Sequence, residues 1–213
     1  DLNQNPFQSK EVYSYPDSIE YVPASCFYED DMGYFYIGTL FDGLYKYDSN
    51  LNFIKNHQIT SKESTTISTG FESGFSQIYK DAKNRLWLLA GPTGLCLFDK
   101  DSEKIQYIKL DTGPPSPTKI LMDSREKIWL ASNSGLMRGE LIKNNILQCS
   151  FIELPDLTKT HVDDILYDSK DRLWVVTRNN GVYCLFPEDY DSLRFRKYLH
   201  RNYKYKYTTE YNA

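Results

Sequence analysis

ILYDSKDRLWVVTRNNGVYCLF, residues 165–186, decides the fold, because three other segments of the chain align with it almost without gaps. These segments are FYEDDMGYFYIGTLFDGLYKYD at 27–48, IYKDAKNRLWLLAGPTGLCLFD at 78–99 and ILMDSREKIWLASNSGLMRG at 120–139. Self-similarity at a period of roughly 20 to 50 residues is the signature of a repeat architecture. The chain is therefore built on four copies of one unit.

Each copy carries the same four landmarks. A large apolar residue precedes an aspartate by three positions, an aromatic residue follows the aspartate by six, and a glycine follows it by twelve or thirteen. The apolar residues are Phe27, Ile78, Ile120 and Ile165; the aspartates are Asp30, Asp81, Asp123 and Asp168; the aromatic residues are Tyr36, Trp87, Trp129 and Trp174; and the glycines are Gly43, Gly94, Gly135 and Gly181.

These landmarks predict strands and turns. A short apolar run ends at the aspartate, a polar turn follows, a second strand carries the aromatic residue, and a third begins at the glycine. The third residue after the aspartate often requires a positive φ. Glu126 fits that need least well among the four residues at this position, which are Gly33, Asn84, Glu126 and Asp171. A fourth alternating stretch completes every copy, as in KIQYIKL at 104–110.

Four strands in roughly 45 residues match the size of a propeller blade. The sequence therefore predicts an all-β fold, a β-propeller made of about four four-stranded antiparallel blades. Helix should be minor because no segment sustains a 3.6-residue period. Blades bury their faces against each other, so most tryptophans and leucines are expected in the core between blades. The predicted boundaries are 24–60 for blade 1, 61–110 for blade 2, 111–155 for blade 3 and 156–200 for blade 4.

Both ends of the chain predict further pieces of the same kind. Residues 1–23 are predicted to hold the outer strand of a preceding blade and a connection, and residues 201–213 a C-terminal strand or linker. The fourth copy already has its own candidate outer strand, LRFRKYLH at 193–200. We therefore expect the blades to be part of a larger propeller, with a closed four-bladed ring as the alternative.

Charge and cysteine content exclude several kinds of partner and site. A net charge of -4 and a pI near 5.5 give no attraction to nucleic acid or to anionic lipid. No apolar run is long enough to span a bilayer, so no direct membrane insertion by this segment is expected. The cysteines form no CxxC pair and are interpreted as small buried residues; they are Cys26, Cys96, Cys149 and Cys184.

The repeat resembles the two-component regulator propeller family, whose unit reads roughly I-x-x-D-x-x-G-x-[LI]-W-[IV]-[GA]-[TS], followed by a loop and Gly-Leu. The copy at 27–48 departs from it by Tyr36 in place of tryptophan, and the resemblance covers nearly all of 24–200. In the clearest copy the matching residues are Ile165, Asp168, Leu173, Trp174, Val175, Thr177, Gly181 and Val182.

The resemblance implies a role in signal transduction. Such repeats form the periplasmic sensor region of hybrid two-component system histidine kinases of Bacteroidetes, where they recognise oligosaccharides. It therefore implies a periplasmic ectodomain of an inner-membrane sensor, with an oligosaccharide as ligand. The remaining blades and the kinase module of the parent chain are the implied protein partners, and a homodimer is expected because such sensors signal as dimers.

Motifs for catalysis, metals and cofactors are missing from the sequence. The repeat aspartates open hairpin turns, where an aspartate commonly accepts local backbone N–H bonds, so they are interpreted as structural. The three histidines form no HxxxH pair, and neither a Walker lysine nor a Gly-x-Ser-x-Gly elbow is present. We expect no metal, no cofactor and no catalytic residue, so this segment should not be an enzyme.

Loops are the expected source of binding residues. In propellers the loops between second and third strands and the connections between blades open on one face, where the scaffold holds them in position. Aromatic rings with Asn, Arg and Asp suit a sugar, which has an apolar face and many hydrogen-bonding groups. The predicted ligand-binding residues are Phe41, Asp42, Phe71, Phe75, Asn133, Lys159, His161, Arg178, Asn179 and Asn180.

Three functions follow as hypotheses. The leading one is a non-catalytic, ligand-sensing segment of a sensor ectodomain. The second is a purely structural or dimerisation role, with the ligand bound elsewhere in the parent protein. The third is a propeller glycan lyase or hydrolase, which requires carboxylate, histidine, tyrosine or arginine side chains to converge on one face.

Overall fold

The computed structural model describes residues 22–59, 74–90, 94–112, 117–142, 145–152, 160–201 and 205–211, with side chains up to residue 198. Within these ranges the chain forms seventeen β-strands and one turn of 3-10 helix, Pro187–Asp189. The prediction of an all-β fold with little helix is confirmed.

Each copy of the repeat forms four consecutive strands, which we call units 1 to 4. Unit 1 comprises β1 (Ala24–Glu29), β2 (Phe35–Thr39), β3 (Leu44–Tyr47) and β4 (Phe53–His57). Unit 2 comprises β5 (Gln77–Lys80), β6 (Leu86–Ala90), β7 (Gly94–Asp99) and β8 (Lys104–Leu110). Unit 3 comprises β9 (Pro117–Met122), β10 (Ile128–Ser132), β11 (Gly135–Ile142) and β12 (Ile146–Phe151). Unit 4 comprises β13 (Val162–Tyr167), β14 (Leu173–Thr177), β15 (Gly181–Leu185) and β16 (Phe195–Arg201), and β17 (Tyr205–Tyr211) follows it.

The sheets differ from the predicted set of separate four-stranded blades. Unit 1 is a four-stranded antiparallel sheet, but units 2 and 3 are joined into one eight-stranded sheet by a short parallel pairing of β8 with β12. That pairing matches Ile146 with Lys109 and Leu147 with Leu110. Unit 4 has five strands, because β17 pairs antiparallel with β16 along its outer edge. The outer strands thus make contacts that a repeat pattern within each unit does not encode.

The turn after each repeat aspartate is built in the same way in all four units. In unit 2, Asp81 Oδ1 accepts hydrogen bonds from the backbone N–H groups of Lys83 and Arg85, each at 2.9 Å. The other three repeat aspartates accept the same pair of bonds. The third turn residue has a positive φ in every unit: Gly33 80°, Asn84 62°, Glu126 62° and Asp171 57°. The carboxylate therefore holds the turn closed even where the residue is a glutamate.

The second oxygen of the aspartate holds the repeat aromatic residue. Asp81 Oδ2 accepts hydrogen bonds from Trp87 Nε1 at 2.8 Å and from Arg85 Nε at 2.7 Å. Burial raises the pKa of Asp81, but the hydrogen bonds from Trp87 and Arg85 outweigh burial and leave the pKa below its usual value. The tryptophans of units 3 and 4 make the same Nε1 bond, at 3.2 and 2.8 Å.

A cation lies over the repeat aromatic ring in every unit, but it comes from two different positions. Units 2 and 4 supply it four residues after the aspartate, as Arg85 and Arg172, at 5.4 and 5.3 Å from the ring centroid. Units 1 and 3 supply it three residues after the glycine, as Lys46 and Arg138, at 5.8 and 5.0 Å. The guanidinium of Arg138 also donates to Asp123 Oδ2 at 3.1 Å. The cation–π interaction is thus present in all four units, although the repeat position of the cationic residue differs.

Hydrophobic clusters fill the spaces between successive units. The cluster between units 1 and 2 contains Tyr36, Leu44, Phe75, Leu86, Leu88, Ala90, Cys96 and Phe98. The cluster between units 2 and 3 contains Trp87, Leu89, Leu95, Ile108, Leu110, Ile120, Ile128, Leu130, Met137, Leu147 and Cys149. The cluster between units 3 and 4 includes Trp129, Ala131, Leu136, Ile152, Val162, Ile165, Leu173, Val175, Tyr183 and Leu185. Each repeat aromatic of units 1 to 3 therefore packs against the unit that follows it.

The first and last units present faces that no described unit covers. Phe27 of unit 1 is 77% exposed, although Ile120 and Ile165 at the same repeat position are 0% and 3% exposed. On unit 4, Trp174 is half-buried, and its ring lies 5.6 Å from that of Tyr198. Trp174 is thus an exception to the expectation that the tryptophans lie in the core, because no described unit packs against its face.

Candidate functional site

The loops between second and third strands lie beside the residues that precede the first strands, at one end of the units. In unit 4 the backbone N–H of Arg178 donates to the carbonyl oxygen of His161 at 3.0 Å, and in unit 1 Leu40 donates to Pro23 at the same distance. Residues that are distant in sequence therefore meet at this end, which we call the loop end. The turns of the repeat aspartates lie at the opposite end of the strands.

A hydroxyl closes the loop in three of the four units. Thr177 Oγ1 donates to Gly181 O at 2.7 Å and accepts from the backbone N–H of Asn180 at 3.1 Å. Thr39 in unit 1 and Ser132 in unit 3 make the equivalent pair of bonds. The loop of unit 4 is therefore held in a defined shape by the hydrogen bonds between the Thr177 hydroxyl and the loop backbone.

The residue five positions before the repeat aspartate links neighbouring units. Ser25 Oγ donates to Gly38 O at 2.9 Å in its own unit and contacts Phe75 O just before unit 2. Thr118 Oγ1 in unit 3 lies 3.3 Å from Ala131 O in its own unit and 3.3 Å from Val162 O in unit 4. A hydroxyl can make such contacts because it carries a hydrogen to donate to a carbonyl oxygen.

Unit 4 has a carboxylate at this position. Asp163 lies at an irregularity in the pairing of β13 with β14, as Ser25 does in the pairing of β1 with β2. Irregularities of this kind re-aim a side chain, and they are common beside binding sites. An ionised aspartate has no hydrogen to donate to a carbonyl oxygen. Asp163 therefore cannot make the contact that Ser25 and Thr118 make.

Asp163 instead pairs with two residues of the loop end. Its Oδ1 accepts hydrogen bonds from Arg178 Nη2 at 2.8 Å and from Arg178 Nε at 3.2 Å. His161 Nε2 lies 3.1 Å from Arg178 Nη2 and 3.4 Å from Asp163 Oδ1. The side chains of Arg178, Asp163 and His161 are 57%, 36% and 28% exposed, so all three are open to solvent.

The same three repeat positions carry no charge in the other units. In the order of His161, Asp163 and Arg178, the equivalent residues are Pro23, Ser25 and Leu40 in unit 1, Gly74, Ser76 and Gly91 in unit 2, and Ser116, Thr118 and Asn133 in unit 3. Folding of units 1 to 3 therefore does not depend on an ion pair at these positions. The Asp163–Arg178 pair of unit 4, with His161 beside it, is thus a candidate for function.

Asn180 belongs to the same loop as Arg178. Its Nδ2 donates to Thr160 Oγ1 at 2.9 Å, which ties the loop to the segment before β13. We call Thr160, His161, Asp163, Arg178 and Asn180 the rim site. Of the residues predicted from the sequence, the structure thus brings together His161, Arg178 and Asn180, with Asn179 exposed in the same loop.

The other predicted ligand residues lie elsewhere. Phe41 and Asp42 are in the loop of unit 1, where Phe41 is 46% exposed and Asp42 Oδ1 accepts from Gln58 Nε2 at 3.0 Å. Asn133 is exposed in the loop of unit 3. Phe71 and Lys159 lie outside the described residues.

The prediction that Phe75 offers a ring to a ligand is wrong. Phe75 is fully buried in the cluster between units 1 and 2, and its backbone N–H donates to Thr39 O at 2.7 Å. A Cβ atom on the preceding Gly74 would lie 1.6 Å from Leu40 O, so only glycine allows this close approach of two backbones. Packing against the first unit therefore turns Phe75 into the core.

Asp163 is the functional candidate that the sequence reasoning missed. The signal was present in the repeat alignment, where Ser25, Ser76 and Thr118 share a column with Asp163. Asp163 lies in the strand that precedes the repeat aspartate, whereas the predicted ligand residues all lie in loops or connections. Departures from a repeat are as informative on strands as in loops.

Three clefts of about 230, 280 and 320 Å³ lie away from the rim site. The smallest lies between units 1 and 2, beside Asp31, Tyr34 and Lys46. The other two lie beside Arg138 and Gln148, and beside Arg85 and Gln106. No predicted ligand residue lines any of the three.

Two further observations bear on metals and membranes. In the described ranges, no cluster of three or more His, Cys, Asp or Glu side chains is arranged to hold a metal ion. No helix within the same residues has the length and hydropathy needed to cross a bilayer.

Comparison with known sequences gives one short similarity. No family model matches the chain. A curated protein, histidine kinase P4 from Formosa agariphila, is 35% identical over 75 residues, which are 32% of this chain and 5% of that protein. The chain thus spans a small fraction of the length of this relative.

Comparison with solved structures gives propeller-like neighbours. The fold is similar to the extracellular domain assigned to the hybrid two-component system BT4673 of B. thetaiotaomicron, with a TM-score of 0.61, 18% identity, and coverage of 82% of this chain and 23% of that one. It is also similar to virginiamycin B lyase from Staphylococcus aureus, with a TM-score of 0.59, 14% identity, and coverage of 78% and 53%. At these identities the likeness concerns the fold, and the chain spans about a quarter of the sensor ectodomain.

Proposed function

We propose that this chain is a ligand-sensing segment of the ectodomain of a hybrid two-component sensor histidine kinase, and that it binds an oligosaccharide at the rim site without catalysing a reaction. The observation that carries the proposal is the ion pair of Asp163 with Arg178, with His161 beside it, at three repeat positions that hold no ionisable side chain in units 1 to 3. The similarity in fold to a sensor ectodomain supports the sensory part of the proposal.

The composition of the rim site supports a sugar as ligand. Hydroxyl-rich ligands are recognised by side chains that donate and accept hydrogen bonds at fixed positions. Arg178 donates, Asp163 accepts, and both are held by backbone and side-chain contacts of unit 4. The carbohydrate class rests on this chemistry and on the resemblance of the repeat.

The open sheet faces support a place within a larger propeller. Phe27 and Trp174 lie on opposite faces of the stack, and each stands at a repeat position that is buried by a neighbouring unit elsewhere in the chain. Further blades of the parent protein would cover both. We propose a periplasmic location, with these blades, the kinase module and a second copy of the chain as partners.

A purely structural role is the first alternative, and a lyase or hydrolase is the second. The observation that favours an enzyme is the similarity in fold to virginiamycin B lyase. Against catalysis, the ion pair with Arg178 favours the ionised form of Asp163, and catalytic motifs are missing from the sequence. A structural role would leave the charged group of unit 4 unexplained.

A thermal-shift screen of the purified chain against plant and host oligosaccharides tests the proposal. A ligand at 100 times its Kd stabilises a protein by about 2.7 kcal/mol, which at this size raises the Tm by roughly 5 to 11 °C. The double variant Arg178→Ala, Asn180→Ala should lose the shift. Lys170→Ala, at an exposed turn of the opposite end, is the matched control and should retain it.

The outcomes separate the three functions. A shift with one glycan class and no product supports ligand sensing. No shift with any glycan, from a protein that melts cooperatively, contradicts the proposal in favour of a structural role. Cleavage of a glycan that is abolished by a rim-site substitution would establish an enzyme.

A further inference from the structure

We infer that the rim site recognises an uncharged pair of adjacent hydroxyl groups, the diol of a neutral sugar, and discriminates against carboxylate-bearing or sulfated sugars. This inference rests on the proposed function and specifies the ligand class. It follows from the charge balance of the site and from the atoms that the Asp163–Arg178 pair leaves open.

The charges of Asp163 and Arg178 cancel, because the two side chains form an ion pair at 2.8 Å. An arginine that binds an anionic sugar needs its positive charge available to the ligand. Here an anionic group at Arg178 would lie beside the carboxylate of Asp163, and this juxtaposition of like charges is unfavourable.

The pairing of Arg178 with Asp163 is one-sided. Both Arg178 Nη2 and Arg178 Nε donate to the same oxygen, Asp163 Oδ1. No hydrogen bond from the described residues reaches Asp163 Oδ2 or Arg178 Nη1. The site therefore offers an acceptor and a donor on two neighbouring side chains.

An acceptor beside a donor matches a pair of hydroxyl groups. One hydroxyl donates its hydrogen to Asp163 Oδ2, and its neighbour accepts a hydrogen bond from Arg178 Nη1. A ligand carboxylate can only accept, so it would satisfy Arg178 and leave Asp163 without a donor. An ammonium group can only donate and would leave Arg178 without an acceptor. A diol is the group that satisfies both.

The structure fixes this geometry before a ligand arrives. The irregularity at the start of β13 sets the direction of Asp163, and the backbone bond to His161 holds Arg178. Thr177 closes the loop, and Asn180 ties it to Thr160. Preorganisation of this kind lowers the cost of ordering the site on binding.

Calorimetric titration with matched glycan pairs tests the inference. Each probe is a uronic-acid oligosaccharide used together with its carboxyl-reduced, neutral counterpart, at pH 7.5 and physiological salt. The wild-type chain should bind a neutral member at least tenfold more tightly than its acidic partner. Binding the acidic member more tightly would overturn the inference while leaving the proposed function standing, and binding neither member of any pair would contradict the proposed function itself.

Two variants sharpen the result. Asp163→Asn removes the counter-charge of Arg178 and should reverse the preference toward the acidic member. Asp163→Ser restores the residue that units 1 and 2 carry at this position, so the variant should fold and should bind the neutral member at least tenfold more weakly. Unchanged affinity and preference in both folded variants would show that Asp163 does not contact the ligand, which overturns the inference.

Discussion

Thr118 in unit 3 and Asp163 in unit 4 occupy the same position of the repeat, but they make different contacts. Thr118 contacts a carbonyl oxygen of the following unit, whereas Asp163 pairs with Arg178 at the exposed loop end. The turn end shows no such divergence, because the aspartates of all four units close their turns with the same two bonds. In this molecule, repetition marks what folding needs, and departure from it marks a candidate for function.

The largest expected effect is the difference in stability between loss of an aspartate that every unit shares and loss of Asp163, which only unit 4 carries. Asp81→Ala should lower the free energy of unfolding by about 3 to 5 kcal/mol, because it leaves the turn amides, Trp87 and Arg85 without their common acceptor. Asp163→Ala should cost about 0.5 kcal/mol or less, since Asp163 is exposed and its described partners, His161 and Arg178, belong to its own unit. Urea denaturation measures both. Equal losses in the free energy of unfolding would contradict the distinction between the two aspartates.

Exchange of the two residues at the compared position should have a smaller effect. Thr118→Asp brings a carboxylate against Ala131 O and Val162 O, which lie 3.3 Å from Thr118 Oγ1, and should destabilise the chain by about 2 to 3 kcal/mol. Asp163→Ser should change stability by no more than about 0.5 kcal/mol. The midpoints of urea unfolding at pH 7 give the comparison, and a tolerated Thr118→Asp would contradict the linking role of the hydroxyl.

The cation over the repeat aromatic ring comes from one of two repeat positions, so an arginine at one position should compensate for loss of the cation at the other. Arg138→Leu removes the cation from Asp123 and Trp129 and should cost about 2 kcal/mol. Adding Lys127→Arg places an arginine four residues after the aspartate, as in units 2 and 4, and should recover at least half of that loss. Lys127→Arg alone serves as the control. A double variant no more stable than Arg138→Leu would show that the two positions are not interchangeable.

The smallest expected effect is on the pH dependence of stability, which should depend on the buried His57 and not on His161 of the rim site. His57 is 4% exposed, its ring lies 4.9 Å from that of Phe98, and Nε2 has no hydrogen-bond partner among the described residues. Burial is the main cause that lowers the pKa of His57. Glu103 raises the pKa, and Lys55 and Lys46 lower it by smaller amounts.

The direction of the pH dependence follows from that lowered pKa. As the pH falls below about 6.5, the usual value for histidine, the unfolded chain takes up a proton that folded His57 resists, so stability declines until the folded pKa is passed. Thermal unfolding between pH 7.5 and 5 should show the decline. It should shrink in His57→Gln and persist in His161→Gln, the half-exposed control, and a decline equal in wild type and His57→Gln would contradict the assignment.

Local structure could be predicted from the sequence wherever one residue type determines it. The aspartate turn, the strand that carries Trp87 and the strand that begins at Gly94 all follow from short-range spacing. The rim site was predicted in part, because His161, Arg178 and Asn180 lie in recognisable loops. Asp163 required a comparison between copies, since nothing in the local sequence distinguishes a strand aspartate that pairs with a loop residue from one that is merely solvated.

The sequence by itself determined the repeat, the all-β class and the conformation of the aspartate turns, because these depend on residues a few positions apart. Only the tertiary structure decided that Phe75 is core, that β8 pairs with β12, and that Asp163 meets Arg178 across two strands. The physical reason is that burial and ion pairing depend on which surfaces meet in space. A repeat pattern specifies each surface but not its neighbour.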